Sequence, residues 1–574
     1  MKILPALFLA SYIIFLLPCS ANAQTSDFMD MSSQTGFNAT GFSHGVAIGD
    51  FNLDGLDDIY VSRTGAANLL YLNKGNFHFE EAAATYGTNY TGNCNVSLWV
   101  DIDQDHDLDL FVGNSFENNV LYRNDGNNFT DVSEAYGIQT SGNVRSLNAV
   151  DFDNDGDMDI YVAVVLEQNI LWRNDGDHFT NVISSSGIDI QGRSLGAVFF
   201  DYDNDGDQDL YQGQDGFDGN FLYRNNGDGT FTDVTDAVGL TFAGFCMGAT
   251  VGDINYDGIA DIYIENLDSN RLWVSNGIGS YNEISTQAGV ADIGMGWSAF
   301  FFDYDNNALL DIYLCNDSYF GIPGHGKLRN RLFVNQGNLT FTSEEVTSTI
   351  QNEFGSYGCA YADFDLDGKL DLVVANESPV DGNQLFRNIA DAGNYIAFEL
   401  EGTESNYQAI GSRVVLYDQQ KTQTQYVIAG SGYSSQNSLL VQFGLGDVTS
   451  IDSVVIYWPS GLRQQFGSLS VNQRYHAQEG NSILSGEAIV RTVPIDLYPT
   501  LIKEDAVVYG HLPGACDVTS VLFSDLTGRN FKIDFTISND GGFTLRMPEA
   551  LPAGVYIVSL QTVRGNYVGK VMKQ

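Results

Sequence analysis

Basic side chains are scarce in this chain. Lys and Arg number 26 against 73 Asp and Glu, a formal net charge of −47. That balance excludes nucleic acid and anionic membrane as partners. Cysteine is also sparse, with six in 574 residues. Beyond the N-terminal segment the set is Cys94, Cys246, Cys315, Cys359 and Cys516, odd in number and scattered, which forms no disulfide framework. Cys315 and Cys359 fall in adjacent repeats and are candidates for a pair or for lone buried thiols. The seven His show no metal-ligand spacing, and H-E-x-x-H, P-loop and C-x-x-C motifs are missing. Gly41-Phe-Ser43-His44-Gly45 matches G-x-S-x-G but leads into a strand, where a nucleophile elbow needs a helix. After the N-terminus no run of 18 apolar residues exists, so no later segment can span a membrane as a helix.

The abundant charge is periodic. Asp151-Phe-Asp153-Asn-Asp155-Gly156-Asp157-Met-Asp159 places carboxylates two residues apart in a short loop, where they repel one another unless a hard cation joins them. Ca²⁺ takes six to eight oxygens from carboxylates and carbonyls, with Gly at the sharp turn. Positions 1, 3, 5 and 9 supply side chains and position 7 a carbonyl. An EF-hand would place Glu at position 12 and continue as a helix. Here position 12 is Val162, inside a strand-like Ile-Tyr-Val run, so the loop belongs to a β-hairpin.

Seven copies recur. Their predicted metal ligands are Asp50, Asn52, Asp54 and Asp58; Asp101, Asp103, Asp105 and Asp109; Asp151, Asp153, Asp155 and Asp159; Asp201, Asp203, Asp205 and Asp209. The rest are Asp253, Asn255, Asp257 and Asp261; Asp303, Asp305, Asn307 and Asp311; Asp363, Asp365, Asp367 and Asp371. Five of the six intervals are 50 to 52 residues and the last is 60. Up to seven Ca²⁺ are expected, and they would offset much of the acidity. The sixth site is expected to be weakest, with Asn307 at position 5 and Ala308 in the glycine slot; the second has His106 there but keeps its carboxylates.

Each repeat has the same anatomy. A strand such as Ser97–Val100 enters the loop and one such as Leu108–Val112 leaves it. A third follows at Asn119-Val-Leu121-Tyr122-Arg-Asn124, and a fourth at Phe129–Val132, ending near Gly137. Four short strands per 50 residues make one propeller blade, and stacked blades explain strands apolar at every position. The seventh repeat lacks the fourth strand, while Asp27-Phe28-Met-Asp30 has that pattern ahead of the first loop. The N-terminal strand is therefore expected to complete blade seven, in an all-β fold headed by a seven-bladed propeller. These loops resemble the FG-GAP and VCBS repeats of integrin α-subunit-like propellers. The resemblance implies calcium on the hairpins of one face and ligand contacts on the opposite face.

The long interval holds an insertion, Asn316 to Arg329, between strands two and three of the sixth repeat. It carries Tyr319, Phe320, His325, Lys327 and Arg329 in an otherwise acidic protein. Tyr319, His325, Lys327 and Arg329 are the candidate ligand-face residues, and the insertion is either a functional loop or a lid over the axial channel.

From Asn394 the pattern changes to alternating segments, Ile396–Leu400, Arg413–Tyr417, Gln425–Ile428 and Val454–Trp458, of a small β-domain. Ile410-Gly-Ser-Arg-Val414, Gly432-Tyr-Ser-Ser-Gln436, Phe443-Gly-Leu-Gly446 and Trp458-Pro-Ser-Gly461 resemble, in order, the ASPIC/UnbV domain, as in the cartilage acidic protein family. Its Gly and Ser positions read as turns and Trp458 as core. After a linker at 481–495, Gly528-Arg529, Gly554-Val-Tyr556 and the basic end at Lys570–Gln574 resemble the C-terminal sorting domain (496–574) of type IX secretion substrates in Bacteroidota. Pro499-Thr500 departs from the usual Pro-Asn-Pro start. At the other end Lys2, an apolar run from Ile3 to Pro18, and Ala21-Asn22-Ala23 form a signal peptide over 1–23, with the propeller at 24–390 and the ASPIC-like domain at 394–480.

The functional expectation is a secreted or cell-surface calcium-binding propeller, a monomeric adhesion or recognition protein for a glycan or protein ligand, exported by the type IX machinery. The alternative is an extracellular enzyme acting on polysaccharide at the axial mouth. Fold alone does not choose between them.

Overall fold

The computed structural model describes residues 27–481 except for 127, 139–141, 218, 321–327, 344–348 and 419–420, and strand segments beyond 482. The segment expected to be a signal peptide (1–23), His325, Lys327, Cys516 and the Gly528-Arg529 pair lie outside the described residues. Among those described, no helix is long and apolar enough to cross a membrane.

Each Asp loop closes a hairpin inside an antiparallel meander. In the fourth repeat Gln191–Phe200 pairs with Asp209–Gly216, which pairs with Phe221–Asn225, which pairs with Phe231–Asp233. Successive repeats are stitched at the strand ends farthest from the loops, as Asp215 and Gly216 pair with Phe245 and Gly244. The last repeat is stitched to the first in the same way, Gly41 and Phe42 pairing with Ser378 and Glu377. The short strand Phe28–Asp30 lies antiparallel on Gln384–Asn388 and buries Phe28 in the core of the last repeat. The ring is thus closed by hydrogen bonds between residues at its two ends.

The third-strand motif explains how neighbouring repeats are clamped. Its second Asn donates from its backbone to the ninth loop residue, as Asn225 N does to Asp209 Oδ1 at 2.8 Å. Its side chain reaches the preceding repeat, where Asn225 Nδ2 donates to Phe152 O at 2.8 Å. Asn73, Asn124, Asn174 and Asn388 make the equivalent bonds to Phe364, Phe51, Ile102 and Tyr304. Asn225→Ala strands buried carbonyls at this joint, and a loss of about 1–3 kcal/mol is expected. Urea unfolding of the variant checks the value.

The second domain is two sheets on a shared core that includes Phe398, Val414, Leu416, Val454 and Trp458. Asn394–Glu401 pairs with Val441–Gly446 and, in parallel, with Gln473–Gln478. Arg413–Tyr417 lies between Thr422–Tyr426 and Ser453–Tyr457. The strand expected at Gln425–Ile428 therefore begins at Thr422 and ends at Tyr426, because the chain then turns away. Trp458 is core, its Nε1 donating to Gln464 Oε1 at 2.9 Å. Beyond residue 491 two more sheets share a core of Val508, Phe523, Phe543, Leu545 and Tyr556.

Where the chain turns away, it enters the ring. Residues 429–436 run through the axial channel and touch the innermost strand of every repeat. Ala149 N donates to Ala429 O at 3.1 Å, Gly432 N to Ala249 O at 2.7 Å, and Val46 N to Ser434 O at 3.2 Å. Ser298 Oγ accepts from Tyr433 N, Ser435 Oγ accepts from Cys359 N, and Gln436 exchanges two bonds with the Trp99 backbone. At the remaining strand Gly196 leaves room for the Gly432 carbonyl, 2.8 Å from where a Cβ would stand. The turn expected in Gly432–Gln436 is present at Tyr433 and Ser434, but it is a buried one: the segment fills the channel.

Candidate metal loops and the axial mouth

Five of the loops bring carboxylate oxygens from positions 1, 3 and 9 within 4.8 Å of one another: Asp101/103/109, Asp151/153/159, Asp201/203/209, Asp303/305/311 and Asp363/365/371. The other two have Asn52 and Asn255 at position 3, whose amide groups donate to Asp58 and Asp257. Position 1 is held by the loop backbone: Asp155 N and Gly156 N both donate to the Asp151 carboxylate at 3.1 Å. Position 9 is buried and accepts from position 2 and from the third strand, as Asp159 does from Phe152 and Asn174. Position 5 is turned differently. Asp155, Asp205 and Asp367 accept from the backbone two residues on, at 3.0–3.1 Å, and stand outside the triads.

The donors fit a hard cation. Oδ1 atoms of Asp101, Asp103, Asp153 and Asp365 are buried without a hydrogen-bond donor. Burial, followed by neighbouring carboxylates, pushes Asp101 and Asp201 up to about 6, Asp151 and Asp363 to about 7, and Asp109 to about 9. Groups so crowded stay ionised only beside a positive charge. Arginines of the third strand supply part of it, Arg387 reaching Asp365 and Asp367, and Arg123 reaching Asp103 at 4.0 Å.

The second domain rests on this face. Ser438 Oγ donates to Asp57, Gln408 Oε1 accepts from Asp101 N, and Tyr426 OH reaches Gly258 O. His106, in the left-handed slot at φ 75°, stacks on Tyr407 with ring centroids 4.3 Å apart, which gives its place in the loop a packing reason. In the sixth loop Ala308, at φ 71°, is buried, and Lys421 Nζ donates to its carbonyl while lying 4.6 Å from the Tyr256 ring.

With these loops in view, sequence comparison assigns the two modules. FG-GAP-like repeats match at 50–112, 101–162 and 201–264, and the ASPIC and UnbV family matches at 402–484. The repeats are FG-GAP-like. The second domain is an ASPIC/UnbV domain. Cartilage acidic protein 1 of Homo sapiens is 25% identical over 273 residues, 46% of this chain and 40% of that protein. The chain thus matches well under half of that relative's length. Among solved structures, an Agrocybe aegerita lectin described as recognising non-reducing terminal N-acetylglucosamine overlaps 64% of this chain and 94% of its own at 18% identity and a TM-score of 0.35. BBS1N, solved with ARL6DN, overlaps 63% and 97% at 10% identity and a TM-score of 0.40.

The face away from the ASPIC/UnbV domain holds the remaining candidates. Tyr319 is 57% exposed and bonds to Asp381 through its hydroxyl, while Arg329 is paired with Glu353. Arg329 therefore brings a neutralised charge. A ring nearer the axis was missed by sequence reasoning. In every repeat the innermost strand carries one extra residue relative to its partner, just inside this face. Such bulges re-aim a side chain. The residue six before the first loop Asp is the recurring one: His44, Asn95 and Arg145 on one side, Leu195, Met247, Trp297 and Tyr357 on the other.

Below this ring Glu265 is fully buried, and burial pushes its carboxyl well above the ordinary value of 4.5. A raised acid favours the folded state below that ordinary value and loses the advantage as pH climbs toward the folded one. Wild-type stability should therefore fall from pH 4.5 upward relative to Glu265→Gln, which lacks the titration. Melting curves of both proteins across pH 4–8 check the slope. Cys94, Cys246, Cys315 and Cys359 are free, buried thiols, Cys315 hydrogen-bonding with Cys359.

Proposed function

We propose that the chain is a secreted or cell-surface protein whose seven-bladed propeller, braced by Ca²⁺ in its Asp loops, binds an extracellular glycan or protein. The ligand surface is the face opposite the loops. One observation carries this reading: the ASPIC/UnbV domain lies over the loop face, while large exposed apolar side chains gather on the other. Phe42, Phe116, Leu166, Phe217, Tyr319 and Val380 all stand there, Phe217 at 78% exposure. Apolar side chains gathered on one face of a soluble protein mark an interaction site.

The test is a pair of substitutions on exposed loops, Phe116→Ser with Phe217→Ser, assayed on glycan arrays and immobilised extracellular proteins. The double variant should melt like wild type and lose retention on whichever probe binds the parent. Undiminished retention would overturn the assignment of the face. Product analysis of the same glycans separates binding from hydrolysis. Export rests on the signal-like start and the sorting-like end, and a chain stopped after Ser485 should fold yet accumulate in the periplasm of its host.

A further inference from the structure

We propose that the axial mouth of the free face is a binding site for a single carboxylate-bearing sugar at the end of a glycan, with Arg145 as the carboxylate partner. This rests on the reading of that face as the ligand surface. The bulge ring makes the mouth two-sided. Leu195 and Met247 pack with Tyr433, the ASPIC/UnbV residue that floors it, and Trp297 and Tyr357 complete the apolar half. Tyr357 stacks on Trp297 at 4.5 Å and His44 on Tyr357 at 5.3 Å, so an aromatic column borders the opening. Asn95 is committed to the next repeat through Val144 O.

Arg145 is the charge of the polar half. It is partly exposed, and Nη1 is anchored on the Tyr433 hydroxyl at 3.0 Å, which fixes the guanidinium at the floor. Among the described residues no carboxylate lies within 4.0 Å of it, in a protein with 73 acidic residues. Glu377 makes its ion pair with His44 at 3.6 Å and feels the Arg145 charge only from beyond ion-pair distance. A held guanidinium leaves further N–H donors for a planar anion, the geometry that favours carboxylate. His44 Nδ1 and Trp297 Nε1 are buried without hydrogen-bond partners, further polar groups for a hydroxylated ring. A sugar offers what both halves need, an apolar C–H surface and a polar edge. One cation on a strongly acidic molecule suits one terminal acid and repels a polyanion.

The experiment uses the full chain in Ca²⁺ and titrates 3′-sialyllactose, a glucuronate-terminated disaccharide, lactose and a capped Glu peptide by calorimetry. An acidic saccharide should bind about tenfold or more tighter than lactose. Arg145→Met should remove that margin, Arg145→Lys restore part of it, and Trp297→Ala weaken all saccharides. Tyr433→Phe, which loosens the floor while keeping the guanidinium, should retain most of the margin. No saturable binding of either acidic saccharide, equal binding of lactose, or an Arg145→Met variant that binds like wild type would overturn the inference. Tighter binding of the peptide would overturn the saccharide class. In each case the Phe116→Ser, Phe217→Ser result decides separately whether the face itself is the ligand surface.

Discussion

Chelation of calcium is expected to lower the melting temperature of this protein more than any single substitution. A ligand bound only by the folded state adds about 2.7 kcal/mol per site at hundredfold excess, and seven loops share the ring. The buried ninth-position carboxylates show why. Asp58, Asp109, Asp159 and Asp209 are fully buried, and without a cation burial raises each of them. In chelator, stability should be greatest below the ordinary aspartate value of 3.8 and decline as pH rises toward the raised values, about 7 for Asp151 and about 9 for Asp109. With millimolar Ca²⁺ the ionised form is the bound one, so stabilisation by calcium should grow from pH 5 to pH 8. Scanning fluorimetry at both pH values, with chelator and with CaCl₂, checks the pattern. Identical melting in the two conditions would refute the metal assignment.

Removal of the axial segment is expected to be nearly as severe. A chain stopped at residue 393 loses Tyr433 and its neighbours from a channel whose walls are shaped around them, and it should appear mainly in the insoluble fraction. A chain stopped after Ser485 should remain soluble and monomeric. The gentler test is Gly196→Val. A Cβ there would stand 2.4 Å from Gly248 Cα and 2.8 Å from Gly432 O, both backbone atoms that cannot swing aside. Overpacking of this kind costs about 1–3 kcal/mol or more. Enhanced proteolysis near residues 427–438, with the repeats still folded, would locate the damage at the plug. Gly467→Val, with open space around its Cβ, is the matching control. Wild-type melting and protease resistance in Gly196→Val would contradict the close fit.

The carboxylate triads were legible because a two-residue Asp spacing repeated every 50 residues has no cheap structural alternative. The clamp by Asn73, Asn124, Asn174, Asn225 and Asn388 was half visible: the motif was found, but its second Asn points to a neighbouring repeat, 72 to 291 positions away in the chain. The plug was not legible, since Gly432-Tyr-Ser-Ser-Gln436 has the composition of a turn and its partners are spread over seven strands. A signal did exist. The residue five before the first loop Asp is Gly45, Ser146, Gly196, Gly248, Ser298 or Gly358, with Val96 the exception. A column of small residues on innermost strands means that something comes close along the axis. The ring of His44, Arg145 and Trp297 escaped for another reason: unlike side chains share one place, and only the bulge reveals that they are equivalent.

The ring's closure by residues at its two ends sets an order of events for the growing chain. Phe28 waits for Asn388, Arg145 for Tyr433, and Asp57 for Ser438, contacts separated by as many as 381 positions. Contacts so remote in sequence make folding slow. A chain emerging N-terminus first therefore holds unmatched strand edges until its ASPIC/UnbV domain has followed. Completion is therefore late: the polypeptide keeps an open, incompletely paired ring until its last third has been made.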